Sequence, residues 1–102
     1  QFGADNSSDI FQLGDFNTAS STQVGWLNNQ STIQVGFGND ASTEQYGIFN
    51  NASTVQAGLF NDSSIQQYGI ANFAATAQFG WGHDSTVTQI GALNGSLVIQ
   101  SN

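Results

Sequence analysis

The sequence predicts an all-β protein, a β-solenoid with two short strands in each 22-residue coil. Three observations carry this reading. Gln recurs every eleven residues along the 102-residue chain without insertion or deletion. An eleven-residue unit that holds a strand and a turn has no room left for a helix. Alternate units also differ systematically, so a 22-residue period lies beneath the shorter one. Self-similarity at a fixed period marks a repeat architecture, in which each unit buries its face only against its neighbours.

The Gln column comprises Gln1, Gln12, Gln23, Gln34, Gln45, Gln56, Gln67, Gln78, Gln89 and Gln100. Two residues after each of the first nine comes a glycine: Gly3, Gly14, Gly25, Gly36, Gly47, Gly58, Gly69, Gly80 and Gly91. Five after Gln comes Asn6, Asn17, Asn28, Asn39, Asn50, Asn61, Asn72 or Asn94, with His83 as the one interruption. Seven after Gln stands a small residue, such as Ala41, Ala52 or Ser63, with Gln30 as the exception. The unit is therefore Gln-x-Gly-x-x-Asn-x-(Ala/Ser)-x-x-x. Between the small residue and the position after Gln lie six-residue stretches such as Ala52–Ala57 and Ser85–Ile90, rich in β-branched residues and free of proline. These read as strands, and Gly-x-x-Asn-x, built from residue types that tolerate positive φ, reads as a five-residue turn.

A fixed period also fits a meander of antiparallel hairpins. The amides favour the solenoid. Gln and Asn need to recur at identical positions when each side chain stacks on its equivalent one coil away, about 4.8 Å along the axis, donating to one neighbour and accepting from the other. The residue before Gln then separates the two sheets: Phe11, Ile33, Val55, Ala77 and Ile99 in one set, Thr22, Glu44, Gln66 and Thr88 in the other. Nine units at two per coil make about 4.5 coils.

Strand alternation places Gln, the residue two before it and the small residue four before it on one face. That recurrent face is expected inside, because a narrow interior demands the same volume in every coil. It carries Ile10, Thr32, Thr43, Thr54, Ile65, Val87 and Val98 beside the amides. The residue after Gln, from Phe2 and Leu13 to Phe79 and Ile90, then points outward although mostly apolar. Exposed apolar stripes suggest lateral packing onto other molecules. Trp26, Leu27, Phe37, Ile48, Phe49, Leu59, Phe60, Ile70 and Trp81 follow along the two edges. There they cover the ends of the sheets or, alternatively, form a ligand-binding aromatic row.

Composition narrows the function. The chain has no Lys or Arg against seven acidic residues, a net charge of −7, and no Cys, Met or Pro. Nothing neutralises phosphates, so neither nucleic acid nor an anionic membrane is expected as a partner, and no run is long enough for a spanning helix. A disulfide frame and thiolate metal sites are absent from the expectation for want of cysteine. Hydrophobic residues make up 38%, too few for a conventional core, so polar side chains must be buried in satisfied arrays. His83-Asp84-Ser85 holds the letters of a catalytic triad, but adjacent residues point to different faces, and His83 reads as a stand-in for Asn. With one His, one Glu and no cationic side chain, acid–base catalysis lacks material; no enzyme and no cofactor are expected. Asp40, Asp62 and Asp84 recur at 22-residue spacing on one edge, a solvated like-charge ladder or a weak candidate for a divalent cation. An ice-binding array would need regularly spaced threonines facing out, and a calcium β-roll would need nine-residue Gly-Gly-x-Gly-x-Asp units.

The chain starts with Gln1 and not Met, which suggests processing and the loss of any targeting segment. The repeat occupies both ends of the sequence without a visible cap, so the expectation is head-to-tail assembly by strand addition into a cross-β fibre.

With these residues in hand, the sequence resembles the curlin-repeat family, the curli subunits of the major, fibre-forming type. The family's half-repeat, Gln-x-Gly-x-x-Asn-x-Ala-x-x-x-Gln, is met in full from Gln12, Gln34, Gln45 and Gln67, and with Ser for Ala from Gln1, Gln56 and Gln89. Where the family has Ser six residues before Gln, this chain has Asn, and it lacks the family's basic residues. The resemblance implies a single curlin-type solenoid domain over residues 1–102. It also implies a structural subunit of an extracellular amyloid fibre in the biofilm matrix, pilus-like and adhesive, exported through an outer-membrane pore and seeded by a nucleator subunit. A nucleator-type minor subunit and a monomeric solenoid adhesin stand as alternatives.

Overall fold

The computed structural model describes residues 1–101, and the chain winds as a parallel β-solenoid of about four turns. Nine strands follow one another: β1 (Ser7–Leu13), β2 (Thr18–Trp26), β3 (Asn29–Phe37), β4 (Asp40–Ile48), β5 (Asn51–Leu59), β6 (Asp62–Ile70), β7 (Phe73–Trp81), β8 (Asp84–Ala92) and β9 (Gly95–Ser101). Odd-numbered strands form a five-stranded sheet and even-numbered strands a four-stranded one, each in chain order. Every pair is parallel with a shift of 22 residues, so Gln45 lies beside Gln67 and Ile65 beside Val87. Antiparallel hairpins are thereby excluded.

The strands are longer than the sequence suggests. Most run nine residues rather than six, and the link between β4 and β5 is only Phe49-Asn50. From Gly25 to Gly91 the repeating glycine belongs to the strand, not to the turn. At Gly47 (φ 131°), a Cβ would fall on the carbonyl oxygen of Gly69 in the next rung. Glycine is required there by the close approach of two backbones one coil apart. The corner is made two residues later, where Phe49, Phe60, Ala71 and Leu93 adopt φ of 55–59°. A left-handed conformation costs a residue with a Cβ on the order of 1–2 kcal/mol, and the stacked rungs hold it in place. Amides of the corners continue the ladder, as where Phe49 N–H donates to the carbonyl of Trp26 at 3.1 Å.

The recurrent face is inside. Ala41, Ala52, Ile65, Ala74 and Val87 form the buried apolar set, and Gln23 through Gln78 are wholly buried beside them. Thr32, Thr43, Thr54 and Thr76 are buried too, so this column does not face outward as an ice-binding array would. The hydroxyls of Thr43, Thr54 and Thr76 have no hydrogen-bond partner; their methyl groups fill the column.

The outer faces of the two sheets differ. On the five-stranded sheet, the column Phe11, Ile33, Val55, Ala77, Ile99 runs beside Leu13, Val35, Ala57, Phe79. Its counterpart on the four-stranded sheet carries Thr22, Glu44, Gln66 and Thr88. Beside it the rings of Tyr46 and Tyr68 stack with centroids 5.1 Å apart. Burial, followed by the charge of Glu44, pushes the Tyr68 hydroxyl above its usual value.

Candidate functional site: the internal ladders

The glutamine column is continuous. Each Nε2 donates to the Oε1 one coil later, from Gln1 to Gln23, Gln45, Gln67 and Gln89 on the side of the four-stranded sheet, at 2.8–2.9 Å. The same chain of bonds runs from Gln12 to Gln34, Gln56, Gln78 and Gln100 on the other side, at 2.7–2.9 Å. The second N–H crosses the interior to a backbone carbonyl sixteen residues earlier, as from Gln45 to Asn29 at 2.8 Å and from Gln56 to Asp40 at 2.8 Å. One side chain thus joins rung to rung and sheet to sheet. A buried primary amide has two donors and one carbonyl acceptor to satisfy, and this geometry satisfies all three groups.

The asparagines work differently from the stack of amides that the sequence suggests. Asn28 Oδ1 accepts from the backbone N–H of Asn50, 3.1 Å away, and its Nδ2 donates to the carbonyl of Gly47 at 3.1 Å and to that of Val24 at 3.3 Å. Asn50 and Asn72 repeat the arrangement. Asn39 adds an amide-to-amide bond, to Asn17 at 3.2 Å. These side chains therefore clamp backbone, closing the corner over the glycine whose carbonyl they hold. Only glycine lets that carbonyl and the next rung come together, which explains why the Gly and Asn columns recur three residues apart.

His83 occupies an asparagine slot. Its backbone N–H donates to Asn61 Oδ1 at 3.1 Å, and its Nε2 lies 3.2 Å from the carbonyl of Phe79, the position of the bond that Asn94 makes to Ile90. Ring geometry reproduces the local clamp, so its place beside Asp84 and Ser85 is accounted for by the turn. Gln30, the exception in the small-residue column, is buried, accepts from Ser8 Oγ at 2.8 Å and donates to Thr32 Oγ1.

Asp40, Asp62 and Asp84 are neighbours at the first position of β4, β6 and β8. Partial burial, followed by the charges of Asp40 and Asp84, raises the Asp62 carboxyl above the ordinary range. Among the described residues, no group of three or more His, Cys, Asp or Glu side chains is arranged to hold a metal ion. Along the edge that follows the odd strands, Phe16, Phe37 and Phe60 meet edge to face, with centroids 5.1 and 5.7 Å apart. Their planes are inclined at 64° and 80°, so the rings pack against one another edge to face and do not form a coplanar row. Gly38 is part of this packing, since a Cβ on it would stand 2.8 Å from the ring of Phe60.

Fold and ladders together define a class: a two-sheet parallel β-solenoid whose interior is an array of hydrogen-bonded amides. Within it, residues 61–91 match the family model of the curlin associated repeat. That segment holds β6, β7 and most of β8, with three Gln-x-Gly motifs, from Gln67, Gln78 and Gln89. No curated protein matches the chain.

Proposed function

We propose that this chain is a structural subunit of a curli-type extracellular amyloid fibre, growing head to tail by β-strand addition. One observation carries the reading: every rung presents the same glutamine bonds to the next. Gln Nε2 meets Gln Oε1 at 2.7–2.9 Å throughout, so a rung of a second copy can continue the glutamine ladder as a rung of the same chain does. Parallel, in-register stacking with side-chain amide ladders is the cross-β arrangement that gives amyloid its stability. The match over residues 61–91 to a curlin associated repeat supports the same reading, and with it a pilus-like fibre of the biofilm matrix that adheres and aggregates cells. A nucleator subunit and an outer-membrane pore are the partners this family reading implies. The role is architectural and not enzymatic, and neither nucleic acid nor membrane insertion enters it. Gln1 through Gln100, Gly3 through Gly91 and Asn6 through Asn94 are the residues that carry assembly.

The test is electron microscopy of the pure chain, diluted from denaturant into neutral buffer and left for a day. Unbranched fibres, whose fragments shorten the lag of fresh protein, are expected. Monodisperse particles that ignore added fragments would overturn the proposal in favour of a monomeric binding solenoid.

A further inference from the structure

We propose that the outer face of the five-stranded sheet is a self-association surface, covered by the same face of a second copy. Two features of the molecule lead there. The first is the distribution of charge. All seven ionisable acidic side chains are uncompensated by Lys or Arg, so two copies approaching each other repel wherever carboxylates face. Glu44 lies on the four-stranded sheet, and Asp40, Asp62 and Asp84 line the start of its strands. Asp5 and Asp15 lie outside the strands, and Asp9 is confined to β1 at the margin of the five-stranded sheet. From β3 to β9 that outer face bears no charge. A second copy therefore finds one broad surface where it meets no like charge.

The second feature is size and shape. Cα extents of 34 × 21 × 11 Å give the sheet a face on the order of 700 Å², close to the ~800 Å² per partner of a standard stable interface. Its two apolar columns hold exposed Ile33, Val35 and Phe79 around a shallower centre made by Val55, Ala57 and Ala77. Large side chains of one copy thus have small ones to rest on in the other, the interdigitation of a dry sheet-to-sheet interface. The two adjoining columns make a contiguous exposed apolar stripe, a feature that marks an interaction surface.

Cross-linking tests the proposal. The chain contains no cysteine, so Val55→Cys places one thiol at the centre of the face and Gln66→Cys one on the opposite sheet. A bismaleimide of about 10 Å reach spans two sheets packed face to face. Within one fibre axis, equivalent residues of successive copies are separated by about 22 Å, four and a half coils of ~4.8 Å, beyond that reach. The expected result is several-fold more dimer from Val55→Cys than from Gln66→Cys, rising with NaCl as repulsion is screened. Ala77→Glu in the Val55→Cys background is expected to lower the yield several-fold while the β-sheet circular dichroism persists. If that variant loses its β signal, Ser53→Glu on the same face carries the comparison. Equal yields from the two cysteines, more from Gln66→Cys, or a yield indifferent to the added glutamate would overturn the proposal. Fibre formation is scored separately by microscopy, so absence of fibres counts against the proposed function and leaves the cross-linking to decide this one.

Discussion

Gln56 Nε2 donates to Gln78 Oε1 and to the carbonyl of Asp40, both at 2.8 Å, while its own Oε1 accepts from Gln34. Removing this one amide orphans a donor on Gln34 and an acceptor on Gln78, both fully buried, and the carbonyl of Asp40. An unsatisfied buried polar group costs roughly 1–3 kcal/mol. Gln56→Leu is therefore expected to destabilise the solenoid by on the order of 3–6 kcal/mol, although it is more hydrophobic and of similar length. Guanidinium denaturation of the variant against the parent chain measures this; an unchanged midpoint would show that the ladder contributes nothing.

The threonine column predicts a change of the opposite sign. Thr54 and Thr76 bury hydroxyls without partners, and the same column already accepts Val98 on β9. Thr54→Val and Thr76→Val keep the shape and remove the unsatisfied group. Each is expected to stabilise by about 1 kcal/mol, read as a higher denaturation midpoint with unchanged slope.

Two glycines separate backbone contact from backbone conformation. At Gly58 (φ 130°) a Cβ would meet the carbonyl oxygen of Gly80 in the next rung, whereas at Gly82 (φ 68°) nothing lies within 4 Å. Gly58→Ala is expected to abolish the folded solenoid or its fibres. Gly82→Ala costs only the left-handed conformation, about 1 kcal/mol. Parallel circular dichroism and microscopy of the two variants distinguish them, and equal tolerance would contradict the packing described.

Those glycines also show what the sequence could and could not disclose. Column positions were legible because Gln, Gly and Asn recur with a rigid spacing, and the inward face followed from constancy of volume at Ala52, Thr54 and Gln56. Strand ends were not. Glycine is a turn former by type, but Gly47 is held in an extended rung by Gly69, a residue 22 positions away, and local preference carries no trace of that contact. Asn50 likewise resembles an amide for stacking, and its bonds to the backbone of Asn72, Tyr46 and Gly69 appear only when the rungs are set at their actual height. The bulky corner residues Phe49 and Phe60 gave no sign of their positive φ, because the conformation is imposed by neighbouring coils.

Acid gives a prediction with a definite sign. The carboxyl of Asp62 is raised above its ordinary value of 3.8, first by desolvation and then by the charges of Asp40 and Asp84. A group whose folded pKa exceeds its unfolded one binds its proton more tightly in the folded state, so it favours folding below the unfolded value and loses that contribution as pH rises through the folded one. Acidification from neutrality toward the region just above 3.8 is thus expected to relieve the ladder and speed assembly. Asp62→Asn should be faster than the parent at pH 7 and lose much of this pH response. Thioflavin kinetics across that window check it; a variant with the parent's pH response would refute the assignment to Asp62.

The central claim is that each coil rests on the next coil of the same chain. Solid-state NMR of fibres grown from labelled chain diluted in unlabelled chain addresses it through Ile65 and Val87, which are paired neighbours in β6 and β8. The account predicts an Ile65–Val87 side-chain contact whose intensity per labelled molecule is unaffected by dilution. Loss of that contact on dilution, or contacts between Ile65 residues of different molecules, would mean separate chains stacked residue upon residue and would contradict the solenoid.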